Sequence, residues 1–248
     1  MDTRREMMGG VLSNPILIEP ILINNYLTIE ALQDGLTAKL SKNTCEYCID
    51  GDGNWKTLAA GATTKSINTG QTLSFRGNLT PNSSNGIGTF TISKKCNLKG
   101  NCMSMLFGDN ASDNYSLSGK DYAFCFLFYT CSNIVTVSEN FLPATILSTS
   151  CYFHMFEGCT SLTTAPALPA TTLARNCYSS IFNGCSKLNY IKALFTTTPS
   201  TSYTKNWVSG VSPTGTFVKN PEATWDVVGV NGVPSGWTVK FDRLAYCI

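Results

Sequence analysis

The chain is short of charge and of histidine. Only 14% of its 248 residues are Asp, Glu, Lys or Arg, against roughly a quarter in ordinary globular chains. There is one histidine, His154, which excludes a metal site built on several imidazoles. Eighteen Lys+Arg against 16 Asp+Glu leave +2, with no basic cluster, and this argues against nucleic acid as a partner. No run approaches the ~18 uninterrupted apolar residues of a membrane span. The most apolar stretch, 11–27, is broken by Asn14, Pro15, Glu19, Pro20, Asn24 and Asn25. Met1–Gly10 carries Arg4 and Arg5 but lacks the apolar region and small-residue cleavage site of a secretory leader. No Gly-rich phosphate loop of the GxxxxGK[ST] or GxGxxG form occurs.

What the chain does have is apolar residues (43%), Ser, Thr, Asn and Gly in abundance, and eleven cysteines. That supports a large core under a polar, uncharged surface, in one or two domains. An odd cysteine count cannot be fully paired. Cys102, Cys151 and Cys177 each stand five residues before a Phe, where Ala123 stands before Phe128. Cys131, Cys159 and Cys185 each follow such a Phe by three. Exchange with alanine marks a small apolar packing residue. The compartment is not defined, so some disulfides stay open beside that reading. Cys45-Glu-Tyr-Cys48 has no second CxxC to complete a zinc site, and it reads as two residues on opposite faces of a strand.

The strongest signal is an internal repeat. Cys102-Met-Ser-Met-Leu-Phe107, Ala123-Phe-Cys-Phe-Leu-Phe128, Cys151-Tyr-Phe-His-Met-Phe156 and Cys177-Tyr-Ser-Ser-Ile-Phe182 align, with Phe-to-Phe spacings of 21, 28 and 26. Gly158-Cys-Thr-Ser-Leu162 and Gly184-Cys-Ser-Lys-Leu188 follow the last two, and Phe141-Leu-Pro-Ala-Thr-Ile-Leu147 recurs as Ala167-Leu-Pro-Ala-Thr-Thr-Leu173. Leu147, Cys151 and Met155, like Leu173, Cys177 and Ile181, are spaced i, i+4, i+8, which predicts a short helix with one apolar stripe. Gly158 and Gly184 stand where a helix ends, and extended pieces begin at Ile134, Leu162 and Leu188. One strand and one helix per ~26 residues is the leucine-rich-repeat pattern.

The wording of Met155-Phe-Glu-Gly-Cys-Thr-Ser-Leu-Thr-Thr-Ala-Pro-Ala-Leu-Pro-Ala-Thr-Thr-Leu173 resembles that of BspA-like leucine-rich-repeat proteins, surface and mobile-element-associated proteins of gut and oral bacteria. The resemblance covers residues ~96–200. It implies a protein without catalytic activity that presents a repeat surface for adhesion or recognition. The ending of the chain resembles the closing segment of the same proteins.

Ahead of the repeat, Tyr26–Leu32, Leu36–Leu40, Cys45–Ile49, Trp55–Leu58, Thr72–Phe75 and Gly88–Ile92 are β-prone runs at sandwich-like spacing. Asp50-Gly-Asp52-Gly-Asn54 reads as a hairpin turn, or as a weak ion site lacking the closing Glu of a calcium loop, since Gly61 stands there. After the repeat, Gly215–Lys219 and Trp237–Phe241 look like strands. Trp207, Trp225 and Trp237 suit a cap on the open end, with an exposed sugar platform as the alternative.

The expected fold class is therefore α+β: an arm (1–23), an Ig-like β-sandwich (24–95), a short leucine-rich-repeat solenoid (96–204) and a C-terminal β cap (205–248). His154 aligns with Met105, Phe126 and Ser180, a slot too variable for a general base, and the carboxylates show no pairing. No catalytic residue, metal ligand or cofactor is expected. The residues just after each strand's first apolar position are expected to point outward, and the candidate binding residues are Thr136, Thr163, Thr164, Asn189 and Tyr190. The expected function is recognition of a host protein or glycan at the cell surface or outside it. The alternative is a structural or receptor-recognising part of a phage or prophage particle.

Overall fold

The computed structural model describes residues 26–82 and 85–242, so the expected arm lies outside the described residues. Seven strands open the chain: β1 (Leu27–Ala31), β2 (Ala38–Leu40), β3 (Cys45–Ile49), β4 (Lys56–Leu58), β5 (Thr72–Arg76), β6 (Phe90–Ile92) and β7 (Cys96–Lys99). They form where apolar residues alternate. Leu27, Ile29 and Ala31 of β1 are buried, and so are Leu73 and Phe75 of β5. A four-residue helix α1 (Ser104–Phe107) follows, then β8 (Ile134–Val137), β9 (Tyr190–Ala193), β10 (Thr216–Lys219) and β11 (Thr238–Phe241).

The strands make three sheets. One has six strands in the order β4-β3-β5-β1-β7-β8, one has the order β11-β10-β9, and β2 pairs with β6. The first sheet is antiparallel up to β7, and β8 then joins in parallel. The β2–β6 ribbon is tied to it through Phe75 and Phe90, whose rings lie 5.0 Å apart. A closed Ig-like sandwich followed by a separate solenoid is not what forms. The sheet of the first part continues through β7 into β8, and one apolar core runs through both.

The expected α+β class with a leucine-rich-repeat solenoid is also overturned in its helices. Among the described residues the only α-helix is α1, and the segments read as helices, 147–155 and 173–181 with the aligned 123–128, fall largely in runs of tight turns at 122–131, 150–159 and 176–185. The reason lies in the backbone. A residue with left-handed φ recurs every fourth position: Tyr122, Phe126 and Thr130; Ser150, His154 and Gly158; Asn176, Ser180 and Gly184. No α-helix accommodates that. The donors alternate instead. Cys125, Leu127 and Tyr129 bond locally to the carbonyls of Tyr122, Phe124 and Phe126. Between them, Phe124, Phe126 and Phe128 donate outward to Cys151, Phe153 and Met155 of the next run, at 2.7, 3.0 and 2.9 Å. The next pair of runs repeats this, with Tyr152, His154 and Phe156 donating to Cys177, Ser179 and Ile181. A fourth run continues past residue 204: Tyr178, Ser180 and Phe182 donate to Tyr203, Lys205 and Trp207.

Side chains register with these bonds. Phe90, Phe128, Phe156 and Phe182 form one column, with successive rings 5.6, 5.5 and 6.0 Å apart. Phe124, Tyr152 and Tyr178 form a second, at 5.8 and 5.9 Å. The three tryptophans close the stack and are buried. Each indole N–H donates to a carbonyl: Trp207 to Gly232, Trp225 to Phe195, Trp237 to Ser212. They are therefore not an exposed sugar platform.

In the second column the Tyr152 hydroxyl is buried without a hydrogen-bond partner among the described residues. Phe124 fills the same slot one run earlier. Tyr152→Phe is expected to raise the unfolding free energy by about 1 kcal/mol, by removing a desolvated donor. Equilibrium denaturation in urea checks this.

Candidate functional site

Parallel pairing places equivalent residues side by side. Asn97 lies opposite Thr136, Thr136 opposite Thr164, Thr164 opposite Tyr190, Tyr190 opposite Thr216, and Thr216 opposite Thr238. At ~4.8 Å per strand, these six positions make a row of roughly 24 Å. All are partly or fully exposed, and in β7, β9 and β10 the next residue along is buried, whereas β11 is exposed throughout. The row is neutral, of hydroxyls, one amide and one phenol. Thr136 Oγ1 donates to Asn97 Oδ1 at 2.7 Å, and the Asn97 amide donates to Glu30 Oε2 at 2.9 Å. The side chains of Thr164 and Tyr190 make no hydrogen bond among the described residues.

Of the five residues predicted from sequence, Thr136, Thr164 and Tyr190 are thus brought into one row. Thr163 and Asn189 stand one residue earlier, in register with Val135. The Thr163 hydroxyl donates to the Val135 carbonyl at 3.1 Å, while Asn189 is exposed. Asn97, Thr216 and Thr238 were not expected. The signal for the last two is the shared wording of Tyr190-Ile-Lys192, Thr216-Phe-Val218 and Thr238-Val-Lys240, a polar residue opening each strand.

Beyond the row, Lys192 sits between Glu139 and Asp242, 3.0 Å from each. Burial pulls its pKa down, but the two carboxylates outweigh this and hold it above the ordinary lysine value. Glu139 also lines a groove of about 680 Å³. One wall of the groove is Ser112 and Tyr115, from the extra segment after α1. The other includes Pro143, Ala167 and Pro169. The main chain of Tyr115 anchors the first wall, since its carbonyl accepts from Thr145 and Ile146 at 2.8 and 3.2 Å.

His154, the Asp-Gly segment and the cysteines each make defined contacts. His154 stacks on Phe126 at 4.9 Å, and its Nδ1 contacts Glu157, whose other oxygen accepts from Asn183 at 3.1 Å. Asp50 accepts from Thr72 N at 2.7 Å and from the Gln71 amide at 2.8 Å, so the Asp-Gly segment is held as a turn. Cys45 and Cys48 both lie in β3 and are free thiols. All ten described cysteines are buried, and none of them forms a disulfide. Cys159 Sγ donates to the Phe128 carbonyl at 3.2 Å, and Cys185 Sγ to the Phe156 carbonyl at 3.1 Å. The recurring cysteine thus also links successive runs. Burial pushes the thiols up, Cys177 and Cys185 to about 12 and Cys131 to about 11.

No known protein family, curated protein or solved structure matches the chain. Among the described residues no helix is long and apolar enough to cross a membrane. The function is therefore argued from the geometry.

The raised thiol values fix a pH dependence. An unfolded thiol ionises near 8.5, before its folded counterpart, so the stabilisation is complete below that pH and is lost as pH rises towards 11–12. The urea midpoint is expected to fall between pH 8 and pH 10.5, and these ten thiols are expected to resist Ellman's reagent until the protein unfolds. A native-state reaction at Cys131 or Cys159 contradicts the packing assigned to them.

Proposed function

We propose that the chain is a recognition protein without catalytic activity, acting at a cell surface or outside cells and binding a host protein or glycan. The observation that carries this reading is the lateral row Asn97, Thr136, Thr164, Tyr190, Thr216 and Thr238. Its backbone is held by neighbouring strands on both sides up to β10, so little conformational freedom is lost when a ligand settles on it. Neutral hydroxyls and amides form individually modest hydrogen bonds of about 1 kcal/mol. Useful affinity then comes from several contacts at once, and from avidity when many copies are displayed. The resemblance of the repeat wording to BspA-like proteins points the same way and remains part of the proposal.

An array of host extracellular-matrix proteins and glycans, probed with multimerised protein, tests this. The double variant Thr164→Ala, Tyr190→Ala is expected to lose roughly tenfold in affinity, for two neutral contacts removed. Unchanged binding by the double variant rejects the row as the recognition surface.

A further inference from the structure

The stack is flush along most of its length, but its first unit departs from the others. After Phe107 the chain makes an additional 3-10 turn over Gly108–Asp113 before rejoining the neighbouring segment, where Ser116 bridges Ile146 in parallel. The groove opens between that extra segment and the loop after β8, beyond the C-terminal ends of β7 and β8. On one wall the rings of Pro143 and Pro169 fix φ, and on the other Tyr115 is 54% exposed on a main chain whose carbonyl accepts two hydrogen bonds.

The polar groups of the groove select among ligand classes. Four of its backbone donors are taken: Ala167 N–H by the Glu139 carbonyl at 2.9 Å, Ser138 N–H by Leu98 at 2.9 Å, Thr145 N–H by Tyr115 at 2.8 Å and Asn101 N–H by Tyr26 at 3.3 Å. Prolines contribute no donor. An extended peptide therefore finds these four donors closed to strand pairing. Nor does an anion find a partner, because no Lys or Arg lines the groove among the described residues, and Lys192 nearby is held by Glu139 and Asp242. What remains is side-chain chemistry: the Glu139 carboxylate, 64% exposed and fixed by Lys192, the Asn140 amide and the Ser112 hydroxyl, beside a bare aromatic face. A carboxylate and an amide present acceptors and donors to adjacent hydroxyls, while the ring covers an apolar C–H face. The size, mostly apolar with a few polar groups, suits a ligand of several rings.

We propose that this groove binds a neutral oligosaccharide, with Tyr115 as its stacking platform and Glu139 and Asn140 as its hydroxyl readers. The inference rests on the recognition reading above and names the ligand class and the place where it is read.

The test uses the whole protein on an array of neutral and sialylated oligosaccharides and of host extracellular-matrix proteins, followed by calorimetry with the best-retained glycan. A neutral glycan is expected to bind. Tyr115→Ala should weaken it about tenfold or more, Tyr115→Phe should restore most of the affinity, and Asn140→Ala should weaken it several-fold. Circular dichroism and thermal melts of each variant separate loss of binding from loss of fold. Glycan binding that survives Tyr115→Ala overturns the groove and leaves the recognition reading standing. Retention only of sialylated glycans, or binding only to protein partners, overturns the neutral-saccharide class alone. An array silent for both glycans and proteins overturns both.

Discussion

The structure depends on one backbone device: alternate amides of each turn run bond within the run, and those between them bond to the next run. Phe124, Phe126 and Phe128 donate across while Cys125, Leu127 and Tyr129 donate locally. Every backbone donor of the runs at 122–131, 150–159 and 176–185 is thereby accounted for without an α-helix or a regular strand. The alternation requires a left-handed residue every fourth position, and the chain accepts Phe126, His154 and Ser180 there against their intrinsic preference. It also sets the spacing of everything attached. Aromatic rings stack in columns, thiols reach the preceding run's carbonyls, and polar strand residues fall into one lateral row because the runs behind them are in register.

The sequence shows this organisation only in part. The repeat, its period and the core identity of its cysteines are legible, because a stack needs equivalent small and large residues at equivalent slots. The strand runs before the repeat form strands where alternation places them. The helices were misread for a physical reason. An apolar residue every fourth position describes one face of a helix, and it equally describes a ribbon of turns that comes round once in four residues. The available clue was glycine: Gly158, Gly184 and Gly210 recur in a slot with φ near +70°, which Thr130 fills in the earlier run. The fourth run was missed because Val208 and Val211 replace the marker Phe and Cys, so only Gly210 kept the pattern visible.

The candidate site divides in the same way. Thr136, Thr164 and Tyr190 could be named from the repeat, since equivalent slots become neighbours when units stack. Asn97 could not, because its place depends on β7 belonging at once to the antiparallel sheet and to the parallel column. The groove was invisible for a related reason. It exists because the first unit carries a turn that the others lack, and its walls meet through the bridge between Ser116 and Ile146. A repeat scan finds what is copied, whereas the groove arises from what is not.

The central claim is that the repeat segments are turn runs with left-handed residues. The measurement that decides it most directly is the stability difference between Ser180→Gly and Ser180→Ala. Ser180 has φ +54° midway along its run. There glycine carries no Cβ penalty and alanine does, so the glycine variant should be the more stable by about 1 kcal/mol. In the interior of an α-helix the order reverses by about 0.5–1 kcal/mol. Chemical denaturation with the alanine variant the more stable contradicts the account.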